Sequence, residues 1–205
     1  MRWAIKRLLA RKDIAQDENF QSEVRALMAL DHDNIVHLSE VMMCPKLACL
    51  VMELAPMGSL EILAARAREK IGTTFIQTSF RQLLSAVEYC HGLEIAHRDI
   101  NPSNVLVFSE TLVKLADFGL CFRCSDVVNG NVILCSDYLG QDAYLAPEVK
   151  ALQPYSAKPA DVWSIGCVLY FLATITSPPG NANDLLVKIS QVESSDALPS
   201  GNNYR

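Results

Sequence analysis

The chain divides into a strand-rich first quarter and a mostly helical remainder, which predicts an α+β fold in two lobes. Three observations carry that expectation. Apart from one helical stretch over Asn19–Leu30, apolar residues up to residue 55 recur at about every second position, and beyond it at a period near 3.6. The change falls at Pro56-Met57-Gly58, a run of turn-forming residues that marks a hinge or linker. Half of the 205 residues are hydrophobic, enough for a filled core and unlike a disordered chain.

The elements follow in order. Arg2 to Leu9 alternates as a strand with Lys6 on one face. From Asn19 to Leu30 the residues Phe20, Val24, Leu27, Met28 and Leu30 fall at helical spacing, with Glu23 on or beside that inward stripe. Ile35 to Leu38 and Leu47 to Leu54 read as strands, and the second is nearly all apolar and so expected at the centre of a sheet. Past the break, Ser59 stands where it can cap a short helix starting at Leu60. Phe75 to His91 reads as a longer helix lined by Phe80, Leu83, Leu84, Val87 and Tyr89, with Gly92 as its stop. Val105–Val107 and Leu112–Leu115 read as a hairpin. Asp161 to Ala173 is apolar on every side, the signature of a core helix. The tail from Pro199 is polar and expected to fray. No internal repeat is visible.

Composition narrows the partners. The net charge of −5, with no lysine/arginine-rich block, argues against nucleic acid beyond a nucleotide, and against an anionic membrane. The longest apolar run, Ile165 to Ile175, is too short to span a bilayer. Seven cysteines, scattered and odd in number, with no secretory signal in front, point to reduced thiols in an intracellular, cytoplasmic setting. Cys121-Phe122-Arg123-Cys124 has the spacing of half a zinc site, but no second pair follows to complete it.

The chemistry is concentrated in His97-Arg98-Asp99-Ile100-Asn101-Pro102-Ser103-Asn104 and in Asp117-Phe118-Gly119. An aspartate, an asparagine five residues on, and a second aspartate eighteen residues after the first form a phosphoryl-transfer layout. This spacing is similar to that of the protein kinases, a resemblance that implies Asp99 as acceptor of the proton of an attacking hydroxyl and Asn104 and Asp117 as holders of metal ions on a nucleotide's phosphates.

These motifs resemble the eukaryotic protein kinase family, serine/threonine type, and the resemblance runs from Trp3 to about Thr176. It implies a two-lobed kinase-like fold: a partial N-lobe with an antiparallel sheet over residues 1–55, a mostly helical, incomplete C-lobe over 56–198, and a flexible tail over 199–205. Trp3-Ala4-Ile5-Lys6 looks like the family's strand carrying the phosphate-binding lysine, with Glu23 as the orienting partner of Lys6. Val51-Met52-Glu53-Leu54-Ala55 is similar to the segment that reads adenine. There the carbonyl of Glu53 and the amide of Ala55 face the base, Met52 stands behind it, and Leu106 joins them in the ATP site. His97, Phe118, Leu27 and Leu38 match a stacked column joining the lobes, and Asp161 matches the residue bracing the catalytic loop. Ala146-Pro147-Glu148 closes an activation segment begun at Asp117. Arg98 normally clamps a phosphate on that segment. Counting back from Gly140 places Asp137 where it can offer Arg98 a carboxylate instead, with Ser136 or Tyr138 as alternative modified residues.

Three departures bear on activity. The family's glycine-rich phosphate loop has no counterpart, because Lys6 stands only five residues after Met1. Asn101 replaces a lysine that neutralises the γ-phosphate, and Gln141 replaces a threonine that touches the same lysine, so an Asn101–Gln141 amide contact is expected. Loss of one transition-state cation costs on the order of 10²–10³ in rate. The family's last helices, with the arginine that pairs with Glu148, are also missing from the pattern. The resemblance therefore implies transfer of phosphate from ATP, with Mg²⁺, to a protein serine or threonine hydroxyl, at weak or lost turnover. The alternatives are a pseudokinase or scaffold module acting through a partner surface, and an incomplete kinase fragment.

Overall fold

A computed structural model describes residues 2–9, 17–66, 71–125, 129–179, 181, 183–185 and 187. The frayed tail expected from residue 199 lies outside these. Strands β1 (Trp3–Leu9), β2 (Leu38–Cys44) and β3 (Leu47–Glu53) form an antiparallel sheet in the order β1-β3-β2. The near-continuous apolar run of β3 is central, as its composition predicts, with Ala48 and Leu50 fully buried.

The sequence places the preceding strand too early. Ile35 makes only an isolated bridge to Leu115, and the ladder to β3 starts at Leu38 and runs to Cys44. Pro45-Lys46 forms the turn, and a register shift between Leu38 and Glu40 breaks the alternation that would have revealed the strand.

Helix α1 (Glu18–Ala29) is capped by Asp17, whose carboxylate accepts from the Phe20 amide at 3.0 Å. Its inner face carries Phe20 onto Ala48 and Leu50 of the sheet, and Leu27 and Ala26 into the main core. Helix α2 (Leu60–Arg66) starts as expected, with the Ile62 amide donating to Ser59 Oγ at 3.3 Å. Helix α3 (Thr73–Gly92) buries Ser79, Leu83, Ala86, Val87 and Cys90 along one face. Leu84, read as part of that lining, is exposed. Helix α3 ends at Gly92, as read, and the left-handed residue that follows it is Glu94, at φ 60°.

Strand β4 (Ile95–Ala96) pairs with β7 (Phe122–Arg123), and β5 (Val105–Ser109) with β6 (Leu112–Leu115). The short α4 (Pro147–Lys150) precedes α5 (Ala157–Thr174), which buries Ile165, Cys167, Val168 and Leu172. The sequence reads α5 as apolar on every side, but Pro159, Val162, Gly166 and Ala173 form an exposed stripe, because small and apolar residues also stand on its outer face. The main core joins α1, α3, β5, β6 and α5. A second core of Cys124, Cys135, Leu145, Tyr155 and neighbours lies under the segment after β7. Among the described residues no helix is long and apolar enough to cross a membrane.

Candidate active site

Alternation along β1 places Ala4 and Lys6 on one face, and helical spacing turns Glu23 of α1 toward it. Lys6 Nζ meets Glu23 Oε1 at 2.7 Å and Asp117 Oδ1 at 2.7 Å, drawing together residues 17 and 111 positions apart. Glu23 is 1% exposed, whereas the Asp117 side chain is 44% exposed. Burial pushes the Glu23 carboxyl up, and the hydrogen bond and charge of Lys6 offset only part of that. Burial also pushes at Asp117, but the Lys6 hydrogen bond and charge, with the Gly119 amide, outweigh it and hold Asp117 below its ordinary range. Burial lowers Lys6, yet its two carboxylate partners leave it raised.

The loop from His97 to Asn104 is shaped from beneath by Asp161 of α5, which is 1% exposed. Its carboxylate accepts the backbone amides of His97 and Arg98, each at 2.8 Å, and contacts His91 Nε2 at 2.8 Å. Arg98 and Asp117 take φ 64° and 63°, a left-handed conformation that non-glycine residues avoid unless their surroundings impose it. Gly140 is needed for a steric reason: at φ 109°, a Cβ there would meet the Arg98 carbonyl at 2.8 Å. His97 is fully buried. Its Nδ1 accepts from the Asp99 amide at 3.2 Å, so Nε2 carries the proton that goes to the Ala116 carbonyl at 3.0 Å. The ring packs edge-on against Phe118, centroids 4.7 Å apart, in the core that holds Leu27 and borders Leu38.

The Asp99 carboxylate is held by three N–H groups. Asn101 Nδ2 donates to Oδ1 at 3.0 Å, the Gln141 amide to Oδ1 at 3.2 Å, and Asn104 Nδ2 to Oδ2 at 2.8 Å. The expected Asn101–Gln141 side-chain contact is therefore not what is found. Asn101 spends its amide on Asp99 and on Ser103 N, while Gln141 is exposed and reaches Asp99 through its backbone. Arg98 does meet Asp137, Nη1 to Oδ2 at 3.2 Å. It also donates from Nε to the Leu120 carbonyl at 2.8 Å and stacks 5.0 Å from the Phe122 ring.

A cavity of about 190 Å³ is lined by Lys6, Glu23, Met52, Glu53, Asn104, Leu106 and Asp117 of the anticipated set. Asp99 and Ala55 are not in its lining, although Asp99 adjoins it through Asn104. The Ala55 amide has no protein acceptor among the described residues. Sequence reading missed Ala4, Val36, Ser103 and Ala116 in the lining; of these, Ala4 was available from its two-residue spacing to Lys6. It also missed the role of the Glu53 side chain, which accepts from Lys114 Nζ at 2.7 Å and the His37 amide at 2.8 Å.

The oxygens present suit a hard divalent cation. Lys6 and Gly119 both engage Asp117 Oδ1, leaving Oδ2, and both Nδ2 bonds of Asn104 go to Asp99, leaving its amide oxygen. Among the described residues no three His, Cys, Asp or Glu side chains form a metal cluster, so a cation here would draw its other ligands from phosphate and water. Cys121 and Cys124 lie in different cores, and burial pushes the Cys121 thiol up and Cys124 up to about 11, away from the thiolate that zinc requires.

Comparison with known proteins agrees with this geometry. The chain is 35% identical over 162 residues to testis-specific serine/threonine-protein kinase 1 of Mus musculus, a match covering 78% of this chain and 44% of that protein. It is 39% identical over 153 residues to sperm motility kinase 2B of Mus musculus, covering 75% and 30% respectively. It is 35% identical over 154 residues to CBL-interacting serine/threonine-protein kinase 18 of Arabidopsis thaliana, covering 75% and 29%. The chain thus spans less than half the length of these relatives. The family model for the protein kinase domain matches residues 1–202, and the chain belongs to that family.

Proposed function

We propose that this chain binds ATP and transfers its γ-phosphoryl group to the hydroxyl of a protein serine or threonine. Membership of the kinase family implies ATP and typically Mg²⁺. The observation that carries the proposal is Lys6 bonded at 2.7 Å to both Glu23 and Asp117, because that triad assembles a phosphate-binding cation and a metal-binding carboxylate from three distant segments. Lys6 holds the α- and β-phosphates, and Met52, Glu53, Ala55 and Leu106 bind the base. Asn104 and Asp117 would ligate Mg²⁺, which when bound supplies charge neutralisation on the phosphates. Asp99 orients the acceptor hydroxyl and takes its proton as the oxygen bonds to phosphorus. The bond to the β–γ bridging oxygen breaks, and ADP leaves with that electron pair. The lobe division after residue 55 belongs to the same proposal, supported by the change from sheet to helices there.

A second reading, a nucleotide-binding module without turnover, is favoured by one observation. Lys6 is the only cation among the cavity's described lining residues, against the carboxylates of Glu23, Glu53 and Asp117. Thermal melting with MgATP, together with phosphate transfer to dephosphorylated casein, decides between them. The proposal expects an upward melting shift and a transfer that Asp99→Asn lowers by on the order of 10²–10⁴. A melting shift with no transfer in the parent would select the second reading, and neither signal would overturn both.

A further inference from the structure

We propose that Asn101 is a positioning residue that fixes the plane of the Asp99 carboxylate; this rests on the reading of Asp99 as the proton acceptor. Asn101 is only 4% exposed, one of few buried polar side chains. Its Nδ2 donates to the Asp99 backbone oxygen at 3.1 Å and to Oδ1 at 3.0 Å, and its Oδ1 accepts from the Ser103 amide at 3.0 Å. A buried amide satisfied at both ends has one orientation, so it can act as a rigid tether.

Asn104 mirrors it, with Nδ2 at 2.8 Å from the same backbone oxygen and 2.8 Å from Oδ2. The terminal torsion of an aspartate is soft. Donors on both oxygens hold it, and the carboxylate plane decides which lone pair faces an incoming hydroxyl. An ionised carboxylate offers about four acceptor sites. Asn101, Asn104 and the Gln141 amide take three, which leaves one for the substrate. The side chain that replaces a phosphate-facing lysine thus works inward on the base.

Two variants of the full chain separate the parts. Asn101→Asp keeps an acceptor for the Ser103 amide but sets a carboxylate oxygen against Asp99, whereas Asn101→Ala removes both contacts. With casein as acceptor, kcat should fall on the order of 10–100-fold in both, further in Asn101→Asp, while KM for ATP stays within about twofold. In ¹H–¹⁵N spectra the Asn104 side-chain amide pair should shift in both variants. If Asn101→Ala fails to fold, Asn101→Asp decides alone. Unchanged kcat in Asn101→Asp, or a kcat loss matched by an equal rise in KM, overturns the inference. If the parent transfers no phosphate, the functional reading fails separately and the Asn104 resonances decide: displaced they support the tether, unmoved they overturn it.

Discussion

The group around Lys6 and the group around Asp99 hold their central atoms by opposite means. Lys6 is gripped by two charged partners 17 and 111 residues away, one in a helix and one in a loop. Asp99 is gripped by neutral amides, two of them on side chains only two and five residues along the same loop. The ionic group exists only when β1, α1 and the Asp117 segment are docked together, so it reports on assembly. The amide group is set mainly within one loop, with the Gln141 amide as its distant member and Asp161 bracing the loop from beneath.

The largest expected effect breaks the ionic side. Lys6→Met should lower phosphate transfer by on the order of 10²–10³. It should also destabilise the fold by several kcal/mol, because Glu23 stays buried without a counter-charge. Adding Glu23→Gln removes the stranded charge. Calorimetry should then recover at least half of the lost melting temperature, with transfer as low as in the single variant. A double variant as unstable as the single one would show that Glu23 is not the seat of the loss.

A smaller effect tests the edge of the amide side. Arg98 is enclosed by the Leu120 carbonyl, the Phe122 ring and Asp137, so Arg98→Ala should lose about 2–3 kcal/mol. Asp137 is more than half exposed, and Asp137→Ala should lose less than about 1 kcal/mol. Denaturant titration that ranks them the other way would mean that the carboxylate, and not the packing of the guanidinium, orders this segment.

The smallest effect sharpens the ionic side by pH. Glu23 is raised above its ordinary 4.5 and Asp117 lowered below 3.8, so acidification should protonate Glu23 first while Asp117 still holds Lys6. The signs differ for stability. The contribution of Asp117 is present above its unfolded value and lost as pH falls through its folded one. Glu23 works against the fold once ionised, and that cost lifts as pH falls through its raised value. The contribution of Lys6 is present below its ordinary 10.5 and fades as pH rises through its higher folded value. Carboxyl ¹³C titrations of the two acids check the order, and a higher midpoint for Asp117 would contradict it.

Periodicity and motif spacing made much of this legible. The inward position of Glu23 follows from the stripe of α1, and Asp99, Asn104 and Asp117 were singled out by their match to the kinase motifs, which are local in sequence. The start of β2 did not follow, since a register shift and the exposed Met42, Met43 and Cys44 erase its alternation. Nor did the left-handed backbones of Arg98 and Asp117, which carry no glycine to announce them and are imposed by partners far along the chain. The destination of the Asn101 amide was misjudged for a related reason. Residue identity shows what a side chain can donate, but the turn of the loop decides where it points.

The brace supplied by Asp161 has a consequence for the order of events in folding. It lies 63 and 64 residues after the Arg98 and His97 amides that it receives. A chain emerging from the ribosome therefore has Asp99, both asparagines and the Asp117 segment outside long before the carboxylate that shapes their loop has been made. Until α5 is complete and packed against α3, the loop from His97 to Asn104 lacks the partner that imposes its left-handed turn, and closing so long a loop is slow. The nascent chain thus carries its chemical groups in an unassembled form, and the site matures in step with the helical core.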